Sequence, residues 1–248
     1  MFNWNSDQYL KFKDQRTQPA IDLAKRVSGN NPQTILDIGC GPGNSTAVLK
    51  SIFPNALIKG IDTSQDMIDK ARRTYPDIDF NLGDAREITE NYDLLFSNAC
   101  LQWIPNHKEL IPYLMSKLND GGTLAVQIPM NGDEPLFGII RDVVSELKLN
   151  SLSRQWTRTP VEYYEILSSC SSGFQVWETV YYHDLPNHKA LLEWVKGTHI
   201  RPYLELLSKE DGLEFENEIL NRVKKTYPVM SDGKVILRFR RFFFIATK

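Results

Sequence analysis

What constrains this chain most is a rhythm: short apolar runs that stop at carboxylates, each followed by a stretch with helical spacing. Residues 34–38 are the first run, and they lead into Gly39, Gly41 and Gly43 before a helical pattern over 44–53. A second run, 56–61, stops at Asp62 and precedes a helix predicted over 64–74. A third, 78–82, stops at Gly83 and Asp84; a fourth covers 92–97 and is followed by a helix over 107–118. Asp120, Gly121 and Gly122 signal a turn before a fifth run, 123–128. Alternation of this kind predicts a parallel sheet covered on both faces, because parallel neighbours need a crossover helix. Right-handed crossovers then gather the ends of the first four strands on one rim, where open sheets take their ligands.

The two ends of the chain depart from the rhythm. Apolar spacing over 9–27 predicts N-terminal helices, read as a lid within 1–30. After Pro129 come helices at 136–147 and 161–168, a strand at 174–182, helices at 188–196 and 209–226, and a β-prone run at 235–246. The stretch between those last two strands is too long for a hairpin and reads as a helical cap over about 187–230. The expectation is one α/β domain over 1–248 with a Rossmann-like, mostly parallel, seven-stranded sheet and helices on both faces. A cofactor-binding core would span 31–130, and 131–248 would form an acceptor-side half that carries the cap.

Composition narrows the classes of partner. Lys plus Arg number 29 against 31 Asp plus Glu, a balance that leaves no electrostatic footprint for a nucleic-acid backbone or an anionic membrane. Cys40, Cys100 and Cys170 form neither a disulfide framework nor a CxxC pair, and the four histidines have no metal-ligand spacing, so no metal is expected. The charged, aromatic N-terminus lacks a signal-peptide core, and no apolar run reaches membrane-span length. These features fit a reduced, cytoplasmic protein, either a monomer or a weak homodimer.

The glycine loop is the first chemical signal. Glycines after a strand and before a helix let a ligand approach the backbone, and positive φ is open to them. The dinucleotide fingerprint GxGxxG would need glycine at 44, where this chain has Asn44. A pyrophosphate also gains nothing from Asp37, whereas a cation such as an ammonium does. Asp62 ends the second strand about twenty residues on, where a carboxylate accepts from ribose hydroxyls. Asp84, after the third strand, can accept from an exocyclic amine of a base, with the N–H of Ala85 on a ring nitrogen. Any one strand-end aspartate is most often an exposed turn residue; three in succession are a pattern.

With these residues the chain resembles the class I S-adenosylmethionine-dependent methyltransferases. The resemblance implies S-adenosylmethionine as cofactor and S-adenosylhomocysteine as product. It places Asp37, Gly39 and Gly41 around the methionine moiety, with Asn98 from the fourth strand. It places Asp62 on the ribose and Asp84 and Ala85 near adenine. Asn44 and Thr63 stand beside these positions as further cofactor candidates. Met67 either packs on the adenine ring or belongs to the core. Tyr9 and Arg16 in the lid complete the set, Arg16 toward either the cofactor or the acceptor.

Motifs outside that core narrow the resemblance. They include Trp4, Tyr9 and Arg16; Asn98, Leu101, Gln102 and Trp103; Gln127 and Pro129; Trp194, Thr198, Arg201 and Pro202; and Arg241, Phe243 and Ala246. In order and along the whole chain they are similar to the branch that methylates a carboxylate of trans-aconitate. Gly132 and Asp133 depart from that branch, as does 149–154, and Arg238 and Arg240 are extra charges. The implied acceptor is a small anion, a tricarboxylate, with Gln102, Trp103, Gln127, Tyr164, His183, Arg201 and Arg241 as its candidate contacts. A carboxylate is ionised at neutral pH, so no catalytic base is expected and none is assigned. Arg241 lies on one strand face with Phe239 and Phe243, where a buried charge needs a partner. Arg238 and Arg240 point the other way and are expected in solvent, Arg201 in a turn, and His107 at a helix start on the surface. The alternatives are methylation of another small acid or a carrier-bound acyl group, and a non-catalytic cofactor-binding protein.

Overall fold

A computed structural model describes residues 13–149, 155–197 and 199–248. Trp4, Tyr9 and Thr198 lie outside them, and for Arg16 only the backbone is described. Among the described residues one sheet has seven strands in the order β3-β2-β1-β4-β5-β7-β6. These are β1 (Thr34–Ile38), β2 (Leu57–Asp62), β3 (Asp79–Leu82), β4 (Tyr92–Asn98), β5 (Leu118–Pro129), β6 (Gly173–Leu185) and β7 (Val235–Thr247). The first five pair in parallel, and β7 runs antiparallel to β5, so the expected mostly parallel sheet is present.

By packing, the described chain divides into two compact units. The core unit takes in residues 13–129, 155–179 and 241–248; the second takes in 130–149, 180–197 and 199–240. The helix at 160–170 and the chain's last residues, which the sequence reading placed in the acceptor-side half, group with the core unit.

In the core unit, α1 (Lys13–Arg26) buries Ala20, Leu23 and Ala24 and packs on β5 and on α2 (Asn44–Ile52). The helix α3 (Gln65–Thr74) covers β2 and β3 with Met67, Ile68 and Ala71, the i, i+1, i+4 face that its amphipathic pattern dictates. Ser64 caps it by accepting from the Met67 N–H. Pro160 and the reciprocal Thr159–Glu162 capping box start α6 (Pro160–Cys170), which packs on α4 (His107–Ser116). Central strands carry Leu94, Leu95, Phe96, Leu124, Ala125 and Val126, all buried, as expected where both faces of a parallel sheet are covered.

The second unit has its own core. Phe215, Ile219 and Val223 form a stripe on α9 (Lys209–Thr226), which meets α5 (Pro135–Glu146) and α7 (His188–Lys196). Between those helices a short one, α8 (Arg201–Leu204), stands where the sequence reading placed a turn. Pro202 favours that geometry, since its fixed φ suits a first helical turn.

The Asp120–Gly122 turn signal also resolves differently. These residues lie inside β5, as an irregularity where pairing jumps from Tyr92–Leu118 to Leu94–Thr123. Gly121 supplies a φ of +73° there. No helix among the described residues is long and apolar enough to cross a membrane.

Candidate active site

The glycine loop separates two uses of glycine. Gly39 has φ +71°, and a Cβ there would lie 2.2 Å from Cys100 Sγ, so its smallness serves packing between the loop and the turn after β4. Gly41 has φ +54° and nothing within 4 Å of its missing Cβ: its smallness leaves open space. That open face is the one a ligand can lie against.

Each of the three acidic positions is held differently. Asp37 is fully buried in β1; Oδ2 accepts from Ser45 Oγ at 2.6 Å and Thr46 Oγ1 at 2.7 Å. Its Oδ1 is buried and, among the described residues, without a donor. Burial pushes its carboxyl up to about 6, against the two hydroxyl hydrogen bonds, with Asp62 adding to the rise. Asp62 accepts from the Gly41 N–H at 3.0 Å and the Ser64 N–H at 2.9 Å, which ties the loop to the end of β2. Burial raises its pKa, and the backbone N–H groups of Ser64, Gly41 and Thr63 oppose that. Asp84 is gripped by Arg86, with Nε on Oδ1 at 2.9 Å and Nη2 on Oδ2 at 2.6 Å, and these bonds hold its carboxyl below the usual range. The sequence reading gave Asp84 no such partner. Arg86 is itself largely exposed, so the pair can part.

The other cofactor candidates sit near these three in varied states. Ala85 is buried, Thr63 is exposed, and Asn44 is half-buried and accepts from Tyr75 OH. Met67 is buried on the α3 face beside Ile68 and Ala71, which favours the core reading of that residue.

At the end of β4 the backbone is strained. Ala99 has φ +56°, a left-handed conformation that costs an alanine roughly 1 kcal/mol. Both its peptide groups are fixed: the N–H donates to Gln127 O at 3.0 Å, and the carbonyl accepts from Gln102 Nε2 at 2.7 Å. Around this turn Asn98 Oδ1, Gln102 Oε1 and Gln127 Nε2 are buried without partners among the described residues. Such atoms cost roughly 1–3 kcal/mol each when left bare, so their concentration on one rim marks a ligand site. A half-buried Trp103 ends the turn that follows, in which Leu101 and Gln102 are buried, and Trp156 N–H donates to Gln102 O at 2.7 Å.

Antiparallel pairing brings Arg241 to the same rim, since it lies opposite Pro129 in the β5–β7 register. It is 5% exposed, and its Nη1 donates to Gln127 Oε1 at 3.4 Å. That contact fixes the Gln127 amide so that its N–H₂ side stays open. Gln102, Gln127 and Arg241 are thus together in the core unit.

The remaining acceptor candidates are elsewhere. Tyr164 is half exposed on α6, edge-on to Phe174 at 4.9 Å, away from the core that its neighbour Tyr163 fills. His183 belongs to the second unit, packed on Trp194 at 4.7 Å and Phe239 at 5.9 Å. Arg201, also in the second unit, pairs with Glu205 at 2.7 Å and leaves a buried Nη1 without an acceptor among the described residues.

One surface expectation is overturned. His107 is fully buried, its ring between Tyr163 OH at 2.6 Å and Leu101 O at 2.9 Å, and burial lowers its pKa. Leu101 follows the strained turn by two residues, so His107 braces the site from below rather than sitting in solvent. Arg238 and Arg240 lie on the solvent side of β7, as expected, and there they also pair with Asp133, at 3.2 and 3.1 Å. The two departures noted in the sequence are therefore one ion-pair cluster. Cys40 is buried and Cys100 half-buried, and desolvation pushes both thiols up, which makes them poor nucleophiles at neutral pH.

The Asp62 arrangement carries a prediction. Asp62→Ala removes both the loop's anchor and a ligand acceptor, worth about 2 kcal/mol together, so calorimetry should find nucleoside binding weakened roughly thirtyfold. Unchanged affinity would refute its role.

Comparison with known proteins adds the following. A methyltransferase domain model matches residues 35–122. The chain is 40% identical to the trans-aconitate 2-methyltransferase of Escherichia coli strain K12, covering 100% of this chain and 99% of that one. Among solved structures it is similar to YcgJ from Bacillus subtilis, with a TM-score of 0.64, 13% identity, and 93% of this chain and 98% of that one covered. It is also similar to a Haemonchus contortus phosphoethanolamine N-methyltransferase in complex with S-adenosylhomocysteine. There the TM-score is 0.56 at 19% identity, over 92% of this chain and 52% of the other.

Proposed function

We propose, for a chain that belongs to the trans-aconitate 2-methyltransferase family, that it esterifies a carboxylate of trans-aconitate at the expense of S-adenosylmethionine. The observation that carries this reading is a division of polarity along one rim. Among the described residues, bare acceptors lie on β1, on β4 and in the turn after it, at Asp37 Oδ1, Asn98 Oδ1 and Gln102 Oε1, and a bare donor lies on β5, at Gln127 Nε2, next to the Arg241 guanidinium.

The acceptor side fits the cofactor. Asp37 would hold its ammonium, Asp62 the ribose hydroxyls, and Ala85 with Asp84 the adenine, while the open face of Gly41 leaves room for its chain. When bound, S-adenosylmethionine supplies a methyl group on a sulfonium, ready for transfer to an oxygen. The donor side fits an anion. Arginine meets a carboxylate with two parallel hydrogen bonds, and the Gln127 amide adds a neutral donor. Because a carboxylate needs no proton removed, the residues have only to orient it and exclude water. His107, a buried base, is bound at both ring nitrogens and has no part in such a transfer.

The test is incubation with methyl-labelled S-adenosylmethionine and a panel of di- and tricarboxylates. Label should pass to trans-aconitate as a base-labile ester. No transfer to any member, with cofactor binding intact, would remove the acceptor assignment.

A further inference from the structure

One carboxylate of the core unit is held asymmetrically, at a cost its burial makes large. Asp37 has no exposed surface, yet both hydroxyl donors, Ser45 Oγ and Thr46 Oγ1, converge on Oδ2, and Oδ1 meets no donor among the described residues. Ser45 and Thr46 are the second and third residues of α2, immediately beyond the glycine loop, and both are buried. In a first helical turn such hydroxyls ordinarily turn to backbone groups. Here both serve a single oxygen of one side chain. The titratable groups facing Asp37 from other elements are the Asp62 carboxylate at the end of β2, the Cys40 thiol in the loop and the Cys100 thiol after β4. None of them brings a positive charge.

Neutral donors differ from a cationic partner in one respect that matters for binding. A lysine or arginine would cancel the Asp37 charge before a ligand arrived; hydroxyls stabilise the ionised form and leave its charge in place. We propose that Ser45 and Thr46 are positioning residues for the cofactor: by occupying Oδ2 they keep Asp37 ionised and present Oδ1 to the ammonium of S-adenosylmethionine. The inference rests on the cofactor reading above and adds to it how the anion is kept available.

Calorimetry with S-adenosylhomocysteine, which keeps the ammonium, tests this between pH 5 and 8 on the full chain. Wild-type affinity should hold at pH 7–8 and fall below about pH 6, where Asp37 takes up a proton. In Ser45→Ala and in Thr46→Val the midpoint should move up by about one pH unit, with affinity regained by pH 8. Thr46→Ser keeps the hydroxyl and should follow the wild type. A second readout needs no ligand: the melting temperature of the free protein should begin its rise on acidification at higher pH in both variants. A loss equal at every pH, or no loss, would overturn the proposal while leaving the cofactor reading intact. Absence of binding by the wild type at any pH would instead remove the cofactor reading, and the proposal with it.

Discussion

Asp37→Asn should make the free protein more stable and the cofactor a far weaker ligand. The folded-state pKa of Asp37 is raised from 3.8 to about 6, so ionising it costs folding stability. The sign follows from proton uptake. Between about pH 4 and 6 the folded state binds more protons than the unfolded one, so stability falls as pH rises through that window and stays low above it. Two units correspond to about 3 kcal/mol at pH 7. Asparagine keeps the carbonyl that accepts from Ser45 and Thr46 but adds a buried N–H, which takes back about 1 kcal/mol. A net gain of about 2 kcal/mol should raise the melting temperature by about 5 °C at pH 7, and the gain should vanish near pH 4. Affinity for S-adenosylhomocysteine should fall about a hundredfold, since a charge-assisted hydrogen bond becomes a neutral one. Melting curves and calorimetry on one preparation check both halves. A variant that is less stable and binds as before would show that Asp37 is a structural residue.

Arg241→Met should act on the acceptor alone. Its guanidinium is buried beside Gln127, and an anion bound there without it would be a buried charge short of its partner. Breaking a buried pair by removing one member costs about 4 kcal/mol, so the kcat/KM for trans-aconitate should drop nearly a thousandfold. The Kd for S-adenosylhomocysteine should not move, because that ligand's candidate contacts lie at the ends of β1, β2, β3 and β4 and not on β7. Arg241→Lys should recover only part of the loss, since an ammonium lacks the planar fork. A parallel loss of both affinities would mean that the arginine supports the sheet rather than the substrate.

Much of this was legible in the sequence for a common reason: local spacing carries it. The runs at 34–38, 188–196 and 209–226 fold with those bounds, and Asp62 sits at a strand end as its position implies. What escaped depends on pairs far apart in the chain. His107 looked like a surface residue because its partner Tyr163 lies 56 residues on, a contact that no periodicity records. The ion pairs of Arg238 and Arg240 went unread because Asp133 is brought to them only by the fold. Tyr164 and Tyr163 are adjacent, and helical phase decides which is core: Tyr163 shares the i, i+3, i+4 face of Ile166 and Leu167, a spacing that was readable and was passed over. The Asp84–Arg86 pair went unread although Arg86 stands only two residues away, where an i,i+2 ion pair was readable. The left-handed Ala99 had no signal at all, as alanine is not a residue that announces positive φ.

The contact between Gly39 and Cys100 has a consequence for how such a chain can change over generations. A side chain at 39 would have to occupy the volume that the Cys100 thiol already fills. Neither position is free to drift alone: a larger residue at 100 presses on the loop, and any Cβ at 39 presses on the turn after β4. Position 39 and position 100 are therefore inherited as one character, and a change at either has to be answered at the other.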